Sequence, residues 1–274
     1  MRIARFSTLL IYMALGAPAQ AETVDCTPVT SLPATISAQG IYCLTGNLAT
    51  SQTSGNAIII TANNVTLDLN GWKVGGQAAG TGTRAVGIVS AAANVTVKNG
   101  IVRGFYFGIN LTGRGATVKG ITADQNTVDG IRVGGTGSVV QGNQVVDTGG
   151  TTYLTDAEAT GIYVSGPGSL VKNNLVSGLT AAGSSPEFGI YFATGAAQST
   201  ARGNIVSDTA RASGGTSIGI YMYGTPAVAV SNNIVTNFTA CVNYAGTASG
   251  TYSRNTAISC DTAYSGGTAG SSND

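Results

Sequence analysis

An all-β parallel β-helix is the fold this sequence predicts, and three observations predict it. A Gly-Ile frame recurs as GIV at 87, GIN at 108, GIR at 130 and GIY at 161, 189 and 219, and it continues more weakly as CVN at 241 and TAY at 262. A second frame keeps step with it, as VQGN, VKNN, ARGN, VSNN and YSRN ending at Asn143, Asn174, Asn204, Asn233 and Asn255. The stretches between, such as NVTVKN at 94–99 and SLVKNN at 169–174, alternate with the period of a strand and are bounded by Gly, Asn, Ser and Asp. Self-similarity at about 22 residues, with three short strands per unit, is one coil of a solenoid in which each strand pairs with its copy in the next coil.

The elements follow in order. Residues 1–21 carry Arg2 and Arg5, an apolar run and Ala19-Gln20-Ala21, the pattern of a secretory leader, so the chain is expected to be secreted or periplasmic. Residues 22–55 are expected to cap the N-terminal end of the stack and to cover its open edges. Residues 56–264 form the helix proper, with about eight coils between 65 and 251 and a rod ~40 Å long at the strand spacing. Residues 265–274, rich in Gly and Ser, are expected to form a flexible tail.

Within the coils, like should stack on like. Val140, Val171 and Val230 share one column, Val145, Val176, Val206 and Val235 a second, and Ile109, Ile131, Ile162, Ile190 and Ile220 a third. The repeated Asn is expected to form an internal ladder that satisfies turn backbone groups. A left-handed hexapeptide helix would need a strict six-residue rhythm, which is absent, and a β-sandwich does not predict stacked identical positions.

Removing the leader leaves 11 of the 13 basic residues against 12 acidic ones, a net charge near −1. That balance offers no general attraction for nucleic acid or anionic membrane, and no apolar stretch is long enough to span a bilayer. The four cysteines allow three pairings. Each end of the chain holds a close pair, so Cys26–Cys43 and Cys241–Cys260 are favoured in an oxidising compartment. There is no histidine, so a zinc site would lack its usual ligands.

The two frames, with NNVTLDLNGWKVGG at 63–76, resemble the right-handed parallel β-helix proteins of the pectate-lyase-like superfamily over roughly residues 56–264. The resemblance implies a right-handed coil. It also implies a polysaccharide cleft on the sheet that carries the Gly-Ile frame, flanked by the loops that enter it.

With each Ile pointing inward, the next residue points outward. That column reads Val89, Asn110, Arg132, Tyr163, Tyr191, Tyr221, Asn243. Extra lengths of seven to nine residues fall within the segments 148–160, 178–188 and 209–217 of three consecutive coils beside it, and these segments add Tyr153, Asp156, Glu158, Glu187 and Arg211. A tyrosine face receives the apolar C–H face of a sugar while its hydroxyl hydrogen-bonds, and Arg132 can hold a uronate carboxylate bidentately. Asn110, Arg132, Tyr163, Tyr191, Tyr221 and Asn243 are therefore the candidate substrate-binding residues, and an extracellular polysaccharide is the expected partner. The alternative is a structural or adhesion module whose tyrosines only stack on one another.

For catalysis the candidates are Arg132, Tyr163, Asp156, Glu158 and Glu187, as a carboxyl pair for a hydrolase or as uronate-neutralising and acid–base groups for a lyase. If calcium is used, Asp156, Glu158 and Glu187 are its candidate ligands. The chain lacks the Asn-Thr-Asp, Asp-Asp and His-Gly motifs of the pectin hydrolases and the Asp-Pro-His-Asp segment of the mannuronan epimerases, so these frames specify the fold rather than an activity. Asp124, Asp129 and Asp147 read as turn residues, and Trp72 as closing the first coil or marking the end of the groove.

Overall fold

The computed structural model of the chain describes residues 25–209 and 215–274. The expected leader at 1–21 and Arg211 lie outside these residues. Twenty-eight short strands, most of them three to six residues long, and one 3-10 turn at Gln77–Ala79 make up the described structure. Every named strand pairing is parallel. The strands fall into a ten-stranded sheet and an eighteen-stranded sheet. In the larger sheet two rows of strands run side by side, joined where Thr96–Arg103 and Thr117–Asp124 each serve both rows. Among the described residues no helix is long and apolar enough to cross a membrane.

The predicted columns are present. Ile109, Ile131, Ile162, Ile190 and Ile220 pair in register in the ten-stranded sheet and are fully buried. Val145, Val176, Val206 and Val235 form a second column, and Val140, Val171, Ala201 and Val230 a third, with alanine in the place of one valine. These side chains form one continuous core along the axis. The glycine of each Gly-Ile frame is required by the closeness of the coils. A Cβ on Gly189 would lie 2.5 Å from the Gly219 carbonyl oxygen, and one on Gly161 would lie 2.6 Å from that of Gly189.

The asparagine ladder closes one corner of every coil. Nδ2 of Asn143 donates to Oδ1 of Asn174, and Asn174 to Asn204, Asn204 to Asn233 and Asn233 to Asn255, each at 2.9 Å. The backbone N–H of each asparagine donates to the same oxygen, and Nδ2 also reaches a carbonyl of the preceding coil, as from Asn174 to Val140 at 3.0 Å. The residue before each ladder position is left-handed, with φ of 62° at Gly142, 54° at Asn173, 65° at Gly203 and 55° at Asn232. That favours Gly or Asn before the ladder residue, as at four of the five positions; at the fifth Arg254 takes the same conformation, with φ of 52°.

Both ends extend the stack beyond what the sequence suggested. The ten-stranded sheet runs from Ala34–Ile36 to Thr262–Ser265, past both ends of the stretch at 65–251. In the expected cap, Thr27–Val29, Gly40–Leu44 and Leu48–Ala49 pair with the strand rows and bury Val29 and Leu44 in the shared core. The C-terminal residues, expected to be a flexible tail, are docked. Thr268–Ala269 pairs with Gly250–Ser253, and Asn273 continues the ladder by accepting from Asn255 at 3.3 Å. Disulfides join Cys26 to Cys43 and Cys241 to Cys260. Trp72 sits at the corner between the two strand rows, 40% exposed, where its carbonyl accepts from Ile101 N–H, so it is remote from the ten-stranded sheet.

Asn174→Ala removes the acceptor of two buried Asn143 donors and leaves the Val140 carbonyl without its side-chain partner. It is expected to cost on the order of 3 kcal/mol or more in urea unfolding, against about 1 kcal/mol for the exposed, left-handed Asn173→Ala. Equal costs would contradict the structural role of the ladder.

Candidate functional site

Register in the ten-stranded sheet brings Val89, Asn110, Arg132, Tyr163, Tyr191, Tyr221 and Asn243 into one outward column. The three tyrosines become direct neighbours, with ring centroids 5.3 Å apart for Tyr163–Tyr191 and 5.2 Å for Tyr191–Tyr221. Their planes are tilted rather than parallel, at 83° and 36°. Each remains half-buried, one side against the sheet and the other open.

A second outward column runs beside the first, and the sequence reading missed it. Phe107, Asp129, Thr160, Phe188, Ile218 and Ala240 pair in register three residues upstream of the tyrosine column. Phe188, placed by the repeat lengths at the end of a loop, belongs to the strand Glu187–Phe192. It stacks on Tyr221 at 4.9 Å and contacts Tyr191 at 4.8 Å. Phe188, Ile218 and Ala240 form an apolar cluster separate from the main core, with Tyr191 and Tyr221 packed against it.

Arg132 joins the two columns. Its guanidinium carbon lies 3.9 Å from the Tyr163 ring centroid and 4.8 Å from that of Phe107, so two aromatic faces hold it. Its Nη1 is 3.0 Å from Oδ2 of Asp129. Asp129, read from the sequence as a turn residue, lies instead in the strand Asp129–Val133 and is only 1% exposed. Burial pushes the Asp129 carboxyl up to about 7, with Glu158 adding to the shift and Arg132 opposing it. The buried Thr160 hydroxyl lies beside the carboxylate and helps to hold its pKa down, although the contact falls outside strict hydrogen-bond geometry. Burial also raises Glu158 against the pull of Arg132. Tyr191 is pushed up to about 12, first by burial and then by Glu158 and the neighbouring tyrosines.

The loops wall this face. Thr152 N–H donates to Thr81 at 3.1 Å and the Tyr153 hydroxyl accepts from Arg84 at 3.3 Å, so the first insertion folds back toward residues 77–84. The Tyr153 ring also stands 6.3 Å from Tyr106. An antiparallel bridge between Ala157 and Ala182 ties the first insertion to the second.

The three acidic candidates separate here. Glu158 is half-buried and couples electrostatically to Arg132, Asp129 and Tyr191. Glu187 is 3% exposed, and its Oε1 accepts from Ala181 N–H at 2.9 Å, so it secures the base of the second loop instead of facing the groove. Asp156 is exposed and accepts from Ser184 N–H at 3.4 Å. The trio proposed for calcium is thus dispersed by its separate loop contacts, and among the described residues no three His, Cys, Asp or Glu side chains converge on a metal position. A signal for Asp129 was available: it holds the same place before Gly-Ile as Phe107 and Phe188.

The described face therefore offers an aromatic ledge, a guanidinium with donors to spare, and two carboxyls that hold protons above their ordinary range. Residues 107–273 match the family model described as the right handed beta helix region. No curated protein matches the chain. Among solved structures, the Dettilon tailspike protein is similar at 17% identity and a TM-score of 0.59 over 84% of this chain and 54% of that one, so the chain spans about half its length. The A-module of an Azotobacter vinelandii mannuronan C-5 epimerase matches at 15% identity and a TM-score of 0.54, over 89% and 87% of the two chains. A mutant tailspike protein of E. coli bacteriophage HK620, in complex with a pentasaccharide, matches at 16% identity and a TM-score of 0.52, over 80% and 44%.

A carboxyl whose folded pKa exceeds its unfolded value of 3.8 costs stability as pH rises, because the unfolded chain releases the proton first. For Asp129 the cost is absent below about pH 4, grows toward about 7 and is constant above. Asp129→Asn should therefore raise Tm relative to the wild type more at pH 8 than at pH 4 in thermal melts. The same difference at both pH values would contradict the raised pKa.

Proposed function

The chain belongs to the right-handed β-helix family, and on that premise we propose that it binds an extracellular polysaccharide lengthwise along the column from Asn110 to Asn243, a uronate-containing glycan being favoured. The observation that carries this reading is the spacing of Tyr163, Tyr191 and Tyr221, whose centroids lie 5.2–5.3 Å apart along the rod. An extended glycan advances by about 5 Å per sugar, close to the ~4.8 Å step between coils. Each tyrosine offers a ring edge or face to the sugar C–H groups and a hydroxyl to its polar rim. Arg132 spends one nitrogen on Asp129, and the other N–H groups of its fork remain to take a uronate carboxylate. Likeness of fold to a mutant tailspike protein in complex with a pentasaccharide, and to a mannuronan epimerase module, supports the same class of ligand. The two disulfides support an oxidising location outside the cytoplasm, in keeping with the expected leader.

A second reading, that the bound chain is also cleaved, is favoured by one observation. Glu158 and Asp129 both hold protons above the ordinary carboxyl range beside Arg132 and Tyr163. In that reading Arg132 neutralises the uronate, Glu158 is the acid–base group at the surface, and buried Asp129 positions Arg132.

Tyr191→Ala is expected to weaken binding of the best glycan in an array screen by roughly ten-fold, the worth of one aromatic contact, while Tyr191→Phe keeps most of the affinity. Wild-type affinity in a folded Tyr191→Ala protein would leave the tyrosines as a purely structural stack and the rod as a spacer or adhesion module.

A further inference from the structure

A net charge near zero conceals a charge pattern on the larger sheet. Register there aligns Lys98, Lys119, Gln141, Lys172 and Arg202 in one outward column spanning four coil steps, about 19 Å. Two of these register pairs, Lys98 with Lys119 and Lys172 with Arg202, set like charges directly opposite each other, which costs stability in a sheet. Asp68 relieves Lys98 at 2.8 Å. Lys119, Lys172 and Arg202 form no ion pair among the described residues. Only 9% of the chain is charged, so three uncompensated cations on one column are a large share. Beside them, Lys172, Arg202, Asn173, Gly203 and Asn232 line a shallow cleft of about 270 Å³, where amide and cationic donors converge.

We propose that this strip binds a linear acidic polysaccharide, as a second glycan surface on a different sheet from the tyrosine column and independent of it. A polyanion laid along the rod removes the repulsion that the bare strip carries, and about 5 Å per sugar again matches the ~4.8 Å coil step. The neighbouring outward positions are Thr117, Val139, Leu170, Thr200 and Ala229. None is aromatic, so the strip offers no platform for stacking bases, which argues against single-stranded nucleic acid. Across the asparagine corner Leu175, Ile205 and Ile234 form an exposed apolar row in register, so an anionic lipid surface is the competitor that the test includes.

The test uses protein already carrying Tyr191→Ala, so that the contribution of the tyrosine column is lowered roughly ten-fold and is the same in both proteins compared. On immobilised polygalacturonate in about 50 mM salt this protein should be retained, and adding Lys119→Gln, Lys172→Gln and Arg202→Gln should weaken binding roughly ten-fold with Tm no lower. The difference should vanish near 0.5 M salt, and immobilised dextran should retain neither protein. No retention of the Tyr191→Ala protein, or equal retention of the charge-depleted one, would overturn the proposal. So would strip-dependent binding of single-stranded DNA or of phosphatidylglycerol vesicles tighter than that of polygalacturonate. Because the two proteins compared differ only at the strip, a loss on removing its charges is assigned to the strip whether or not Tyr191→Ala weakens binding at the ledge.

Discussion

In-register parallel pairing of one coil on the next sets the spacing of everything else in this molecule. Because Ile162 lies under Ile190 and Ile190 under Ile220, any residue following them must also stack, and the tyrosines become a ladder whether or not their rings gain from it. The register is held from two sides. Buried aliphatic columns resist a slip that would turn every side chain to the wrong face. The asparagine ladder, with its amide and backbone bonds to successive coils, makes a slip of even one coil leave buried donors unpaired. Glycine completes the arrangement, since the coils approach too closely at the Gly-Ile corner for any Cβ.

Charge is used sparingly. Three ion pairs occur among the described residues, and two of them, Lys98–Asp68 and Arg103–Asp124, are partly exposed on sheet surfaces and contribute little to stability. The third, Arg132–Asp129, is different. A carboxyl without aligned hydrogen bonds is buried under a guanidinium that two aromatic rings hold in place. Such an arrangement costs folding free energy, since burial penalises the ionised carboxyl. It lies at the junction of the aromatic ledge and the loop wall, where an organised cation serves recognition. The uncompensated strip on the larger sheet has the same logic: a cost in the free protein that an anionic ligand relieves.

Much of this was legible in the sequence because repetition converts identity into position. Columns, ladder, tyrosine neighbours and loop insertions all follow from aligning the Gly-Ile and Val-x-x-Asn frames. Asp129 escaped because Val-Asp-Gly reads locally as a turn. Only its place two residues before Ile131, matching that of Phe107 and Phe188, puts it on a strand. The surroundings of Glu187 and Asp156 were not legible for another reason. The insertions do not repeat, so nothing in their spacing says that Glu187 turns back to the Ala181 amide or that Asp156 faces Ser184. Composition likewise suggested a loose C-terminus, whereas Asn273 and Asp274 bond to Asn255 and finish the ladder.

The claim that coil register sets the recognition of a glycan is tested most directly by a crystal structure of the protein with an oligogalacturonate of four or more sugars. The account predicts consecutive sugar rings seated over Tyr163, Tyr191 and Tyr221, running parallel to the rod, with a carboxylate on the Arg132 guanidinium. An oligosaccharide bound across the rod, or seated only away from both the ledge and Arg132, would contradict it.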